Sequence, residues 1–225
     1  MPAWLQLMID SFWPLLSAGL IFTVPLTLIT FVLGILLGFL VALARLYGPT
    51  PLVVLVRFYV WLIRGTPLLV QLFLIFYGLP SAGIVLDAFT AAVIGFTLNI
   101  GAYSSEIIRA TLAAIPKGQW EAAYSIGMNW PQVMWRVILS QAARIAVPPL
   151  SNTFISLVKD TSLAAAVTVP ELFQAAQRLA SVTYEPLILY IETAIIYLLF
   201  SSVLSTLQDR LERRLTHKET RELAL

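Results

Sequence analysis

The sequence predicts an all-α membrane protein with about five transmembrane helices. Three observations carry that expectation. The 225 residues are 59% hydrophobic, with a mean hydropathy of +0.87. Only 12% are charged, half the roughly 25% of a soluble domain. The charges are also clustered, leaving runs such as the 34 residues from Ser11 to Ala44 without one.

A spanning helix needs about 20 apolar residues, at 1.5 Å rise for roughly 30 Å of hydrocarbon. The first run exceeds this. It divides into an external or interfacial N-terminal segment, 1–17, and a span over 18–44. In the lead-in from Trp4 to Pro14, the aromatics Trp4, Phe12 and Trp13 suit a headgroup belt. Pro25 is placed to bend the span. Gly34 and Gly38 form a GxxxG match, which reads either as close helix packing or as ordinary glycine usage in a span. No cleavable signal peptide is expected, since the first basic residue is Arg45 and the first apolar segment is too long.

Gly48-Pro49-Thr50-Pro51 is a breaker. The second span is expected over 54–79, with Arg57 and Arg64 in its early turns and Gly78-Leu79-Pro80 at its end. The third runs over 88–111, with Glu106 and Arg109 near its close. The fourth covers 133–158, interrupted at Pro148-Pro149, and the fifth 186–208, followed by a charged tail at 209–225. Between the last two, 169–181 reads as a further helix with Pro170 in its first turn.

Five spans place the termini on opposite sides. With the N-terminus outside, twelve of the fourteen Lys and Arg residues lie inside, and only Lys159 and Arg178 lie outside. The reverse orientation would invert the positive-inside rule. The C-terminus is therefore expected in the cytoplasm, together with the loop at 112–132.

That loop contains "KGQWEAAYSIGMNWPQ", Lys117 to Gln132. Its pattern is helix, stop, turn, new helix. Gly127 suits the left-handed position after a helix, and Asn129 with Gln132 matches a capping box. Ala122 and Ala123 are small enough for a partner to approach the backbone closely. Trp120 and Tyr124, four apart, share a face. Two readings follow: a helix laid in another protein's groove, or one resting on lipid. Lys117 is the segment's sole basic residue, which favours protein contact.

Intramembrane polar groups are candidates for a transport pathway. They are Gln71, then Asn99 and Tyr103 on one helical face, then Lys159-Asp160-Thr161-Ser162 after the fourth span. Lys159 and Asp160 bring one charge of each sign together with two hydroxyls. The alternatives are interhelical hydrogen bonding for Gln71 and Asn99, and a structural ion pair or solvated cap for Lys159 and Asp160. Glu106 and Arg109 read as a gate or an intrahelical ion pair. Glu192 is a weaker pathway candidate.

The composition also excludes some chemistry. There are no cysteines, and the single histidine, His217, lies in the charged tail. A thiolate or multi-histidine metal site and histidine-based catalysis are excluded by count, so no metal site and no catalytic residues are expected. A Ser–Lys pair, Ser162 near Lys159, is what remains for an intramembrane enzyme. No internal repeat supports a secondary transporter or channel.

"EAAYSIG", followed nine residues later by "VILS", resembles the EAA loop of permease subunits of ATP-binding-cassette importers. Glu121, Ala122, Ala123, Gly127, Val137 and Leu139 carry the match. Ser140 stands where the pattern has proline, which leaves the start of the fourth span straighter than in relatives. The stretches 57–80, 102–123 and 148–173 are similar to polar amino-acid permeases of the histidine, glutamine and cystine type, above all to L-cystine permeases.

The resemblance implies a type I importer transmembrane domain over 18–208 in a bacterial cytoplasmic (inner) membrane. It implies a second permease copy, as homodimer or heterodimer, cytoplasmic ATPase subunits and an external binding protein that delivers the amino acid. Glutamine, glutamate and basic amino acids are the other substrates it allows. Residues Trp120 to Tyr124 and Gly127 would couple to the ATPase, Glu121 through polar contacts and Gly127 through the turn. No GxxxxGK[ST] phosphate loop is present. ATP and magnesium therefore belong to the partner, and this chain binds no cofactor; no nucleic-acid partner is expected.

Overall fold

The computed structural model describes residues 2–222, with side chains up to Arg213. His217 and the rest of the charged tail lie outside the described side chains. The described residues form helices joined by short turns, with no strand among them.

The first helix, α1, runs Ala3–Tyr47. The expected interfacial lead-in is therefore not a separate element, because the helix passes through 17–18 without a break. A π turn at Gly19–Thr23 sits just ahead of Pro25. Proline has no N–H to donate and crowds the carbonyl four residues back, and a wider turn accommodates both effects.

The next helix, α2, covers Thr50–Gly65, and α3 covers Leu68–Ala82, bent from it by 107°. The single second span read from the sequence is thus a broken one. Pro67 is the cause: it forces Thr66 out of helical geometry, to φ −121° and ψ 146°. The break frees carbonyls at the end of α2, and Gln71 satisfies them. Its Nε2 donates to Ile63 O at 2.7 Å, Thr66 O at 3.0 Å and Thr66 Oγ1 at 2.9 Å. Gln71→Leu keeps the volume but strands these acceptors in an apolar setting, at a cost of about 1–3 kcal/mol. A clear drop in the melting temperature of the purified protein is the expected result.

The third expected span is α4, Ala88–Ala114, capped at its start by Asp87, which accepts from Thr90 N at 3.0 Å. Helix α5 is Lys117–Ser125. Helix α6 occupies 130–160, with a π turn at Met134–Ile138. Just after that turn, the hydroxyl of Ser140 donates to Val137 O at 2.9 Å. The expected interruption at Pro148-Pro149 is absent, since α6 runs through both prolines. Their fixed φ is helical, so the helix continues with two backbone donors fewer.

A 3-10 turn at Thr161–Val167 leads to α7, Leu172–Thr183. Pro170 lies ahead of this helix rather than in its first turn. Glu171 is the cap, accepting from Phe173 N at 2.9 Å and Gln174 N at 2.8 Å. Tyr197 of the last helix, α8 (Pro186–Glu222), donates to the same carboxylate at 2.8 Å. Burial pushes the Glu171 carboxyl above its usual range, opposed by these three donors. Ser11 of α1 donates to Glu192 of α8 at 2.5 Å. Glu192 is therefore a buried tie between the first and last helices, away from the main cavity.

By length and apolarity, three described helices can cross a membrane, or four if the bent pair counts as one. Helix α6 falls outside that set because one face is polar, which matters below. Lipid is as apolar as leucine, so close packing and hydrogen bonds must hold these helices together. The α1–α4 crossing does this. Cβ atoms built on Gly34 and Gly38 would lie 2.5 Å from Ile100 Cγ2 and 2.9 Å from Ser104 Cβ. The GxxxG stretch is a close-packing surface within the chain.

Candidate functional site

Three elements supply the polar lining of an open cavity of about 590 Å³. The α2–α3 break contributes Arg64, Thr66 and Pro67; α4 contributes Asn99, Tyr103 and Glu106; α6 contributes Asn152, Ser156 and Asp160. The spacings explain the shared faces. Asn99, Tyr103 and Glu106 recur at i, i+4 and i+7, and Asn152, Ser156 and Asp160 at i, i+4 and i+8. The polarity that disqualifies α6 as a lipid-facing span is the polarity that lines this cavity.

The sequence-predicted pathway residues divide. Asn99, Tyr103 and Asp160 meet on the wall. Gln71 sits behind it, accepting from Asn99 Nδ2 at 3.3 Å while it holds the helix break. Lys159 is exposed and absent from the wall. Thr161 is fully buried and turns its hydroxyl back to Val158 O at 2.6 Å. Ser162 is half-buried and also off the wall. Sequence reasoning missed Asn152 and Ser156, although their helical spacing from Asp160 was available once the two prolines were not taken as a break. It also missed the position of Arg64 at the mouth of the break.

Glu106 and Arg109 form the expected intrahelical pair, at 3.0 Å. They belong to a larger cluster. Arg45 of α1 binds Glu106 Oε1, and Arg64 approaches the same oxygen at 3.7 Å. One carboxylate therefore meets three guanidiniums. Arg64 also lies over the Tyr103 ring, 5.3 Å from its centre.

Helix α5 projects from the end of α4 opposite Asp87. It is fixed from below by Ala123, which is 5% exposed, and by Trp120, which packs on a core that includes Ala42, Leu112 and Ile138. Of the two small alanines, only Ala122 faces outward with Glu121 and Tyr124. Gly127 closes the helix with φ +82°. Gly127 N donates to Tyr124 O at 2.9 Å and Met128 N to Ala123 O at 3.2 Å, the two bonds of a Schellman motif. The capping box is formed: Gln132 N to Asn129 Oδ1 is 3.1 Å, and Asn129 N to Gln132 Oε1 is 2.9 Å. The Trp130 ring stacks edge-on to Tyr47 at 5.4 Å, fixing the restart against α1.

A polar cavity in a bundle of broken helices, beside a rigid projecting helix, defines the class of a membrane transport component. The chain belongs to the family of binding-protein-dependent transport system inner membrane components, whose pattern matches residues 34–217. It is 53% identical over 207 residues to the L-cystine transport system permease protein TcyB of Bacillus subtilis (strain 168), covering 92% of this chain and 88% of that one. It is 35% identical to the arginine transport system permease protein ArgU of Corynebacterium glutamicum, covering 92% of this chain and 70% of that one. A crystal structure of an amino acid ABC transporter with histidines superposes with a TM-score of 0.87 at 36% identity, covering 95% of this chain and 99% of that one. The fold is that of type I ABC importer permeases.

Proposed function

We propose that this chain is the permease subunit of an ATP-driven importer that carries L-cystine across a bacterial cytoplasmic membrane. The observation that carries an amino-acid substrate is the cavity, with the guanidinium of Arg64 at one side and the carboxylate of Asp160 at another. These are complements of an α-carboxylate and an α-ammonium group, with Asn99, Tyr103, Asn152 and Ser156 between them as neutral donors and acceptors. The 53% identity to a cystine permease favours cystine within that class.

The mechanism is alternating access. The N-terminus lies outside and α5 in the cytoplasm, as the distribution of Lys and Arg favours. Two cytoplasmic ATPases, which hold ATP and magnesium, grip α5 of this chain and of a second permease copy. ATP closes the ATPases, the α5 helices move together, and the cavity opens outward to take the amino acid from an external binding protein. Hydrolysis returns it inward. Each ligand acts by its differential affinity for the two states. Lys159, Thr161 and Ser162 then take no direct part in the wall, and Gln71 holds Asn99 in place.

The test is uptake of labelled L-cystine into proteoliposomes containing the permease with its ATPase, with arginine, glutamine and histidine as competitors. ATP hydrolysis rises when loaded binding protein is added. Equal hydrolysis with and without it overturns coupled import. Asp160→Asn removes the ammonium's counter-charge and raises the KM for uptake by about tenfold or more, the equivalent of ~1.4 kcal/mol.

A further inference from the structure

A second cavity, of about 450 Å³, adjoins the first and is lined by Arg45, Arg57, Trp61 and Arg64 among others. Among the described residues, only Arg64, Tyr103 and Glu106 line both cavities. These three side chains are the partition between them.

The partition is unevenly held. Glu106 is already committed, Oε1 to Arg45 and Oε2 to Arg109 Nη2 at 3.0 Å and Nε at 3.2 Å. Arg64 stands 3.7 Å from Oε1, beyond hydrogen-bond distance. Its remaining hold is the face of Tyr103, which attracts a cation without fixing its donors. Arg64 can therefore pivot at small cost, and its donors are free for an incoming carboxylate.

The lining of the second cavity holds three arginines against one carboxylate, Glu106, which it shares with the first. Arg57, Trp61 and Arg64 recur at i, i+4 and i+7 and so face it from one side of α2. Arg45, whose side chain is 15% exposed, faces it from α1, and its buried Nε has no hydrogen-bond partner. Glu106, the single carboxylate on this wall, meets three guanidiniums, those of Arg45, Arg64 and Arg109. Arg45 is part-buried, while Arg57 and Arg64 are exposed; guanidiniums gathered at one cavity are satisfied by an oxyanion that accepts several N–H bonds at once.

We propose that the second cavity is a second station for the substrate carboxylate, and that Arg64 hands the carboxylate over to Arg45 and Arg57. This rests on the reading of the first cavity as the amino-acid site. Arg64 exchanges its loose contact with Glu106 for the substrate. It then swings with the carboxylate past Tyr103 to the far side of the partition, while Glu106 stays neutralised by Arg45 and Arg109. Arg57, which does not line the first cavity, acts only after that exchange.

The test uses the permease–ATPase complex in proteoliposomes with loaded binding protein, measuring L-cystine uptake at varied concentration and basal ATP hydrolysis as the check on folding. Arg57→Gln lowers the maximal rate by about fivefold with KM unchanged. Arg64→Gln raises KM by about tenfold, and Arg64→Lys restores KM in part but not the rate, because an ammonium lacks the fork that bridges two acceptors. A wild-type maximal rate for Arg57→Gln overturns the second station. If Asp160→Asn and Arg64→Gln both leave KM unchanged, the first cavity is not the amino-acid site and the underlying reading falls with it. Repeating the Arg57→Gln assay in pure phosphatidylcholine vesicles, which lack net-anionic lipids, separates an anionic lipid headgroup from the substrate. A defect that vanishes there assigns the site to an anionic headgroup and overturns the proposal.

Discussion

Replacing Gly38 with leucine drives α1 and α4 apart and removes most of the folded protein. A Cβ at this position would lie 2.9 Å from Ser104 Cβ, 3.0 Å from Gly101 O and 3.0 Å from Ser105 N. Two of those neighbours are backbone atoms of a helix and cannot rotate away. Extra methylene groups in a packed interior cost about 1–3 kcal/mol, and leucine adds four carbons against main chain, so the loss lies at the top of that range or above it. The effect reaches the cavity, since the same stretch of α4 carries Asn99, Tyr103 and Glu106. Gly38→Ala produces a smaller loss. Gly118→Ala, where nothing lies within 4 Å of the new Cβ, produces none. Thermal melting of the detergent-purified variants gives the order, and a Gly38→Leu protein that melts like the wild type refutes the account.

The same glycines show what the sequence could and could not reveal. GxxxG in an apolar run marks close approach to some helix, but only the structure identifies it as α4 of the same chain. The spans formed by α1, α4 and α8 were legible because each is a long apolar run with few or no charges. The second span was misread for a related reason: composition stays apolar across Gly65-Thr66-Pro67, while the backbone does not stay helical. The opposite error occurred at Pro148-Pro149. A proline inside a helix removes one hydrogen bond, whereas the one at 67 also follows a residue that takes extended geometry. Sequence cannot tell these apart, because the decision belongs to the packing around each. The loop at 117–132 was almost fully legible, since a Schellman turn and a capping box are local motifs set by a few adjacent residues. The site was legible only in part. Asn99, Tyr103 and Asp160 carry their polarity openly, but the gathering of Arg45, Arg64 and Arg109 on Glu106 joins positions up to 64 residues apart.

Gly127→Asp separates the two roles that this glycine can have. The residue sits at φ +82°, with nothing within 4 Å of where a Cβ would be. A side chain therefore meets open space, and the conformational penalty is about 1–2 kcal/mol for most residues but less for Asp and Asn. Aspartate keeps the turn at modest cost while placing a negative charge at the C-terminal end of α5, against the helix dipole. If α5 docks in an ATPase groove, that charge lies in the contact. Uptake then falls to background while membrane insertion and melting stay near wild type. Gly127→Asn, with the same shape and no charge, retains much of the uptake. Gly127→Val, β-branched and strained at positive φ, loses both the turn and the coupling. Disappearance of Gly127→Asp from the membrane would make the glycine structural only. Full uptake by that variant would mean that this end of α5 lies outside the ATPase contact.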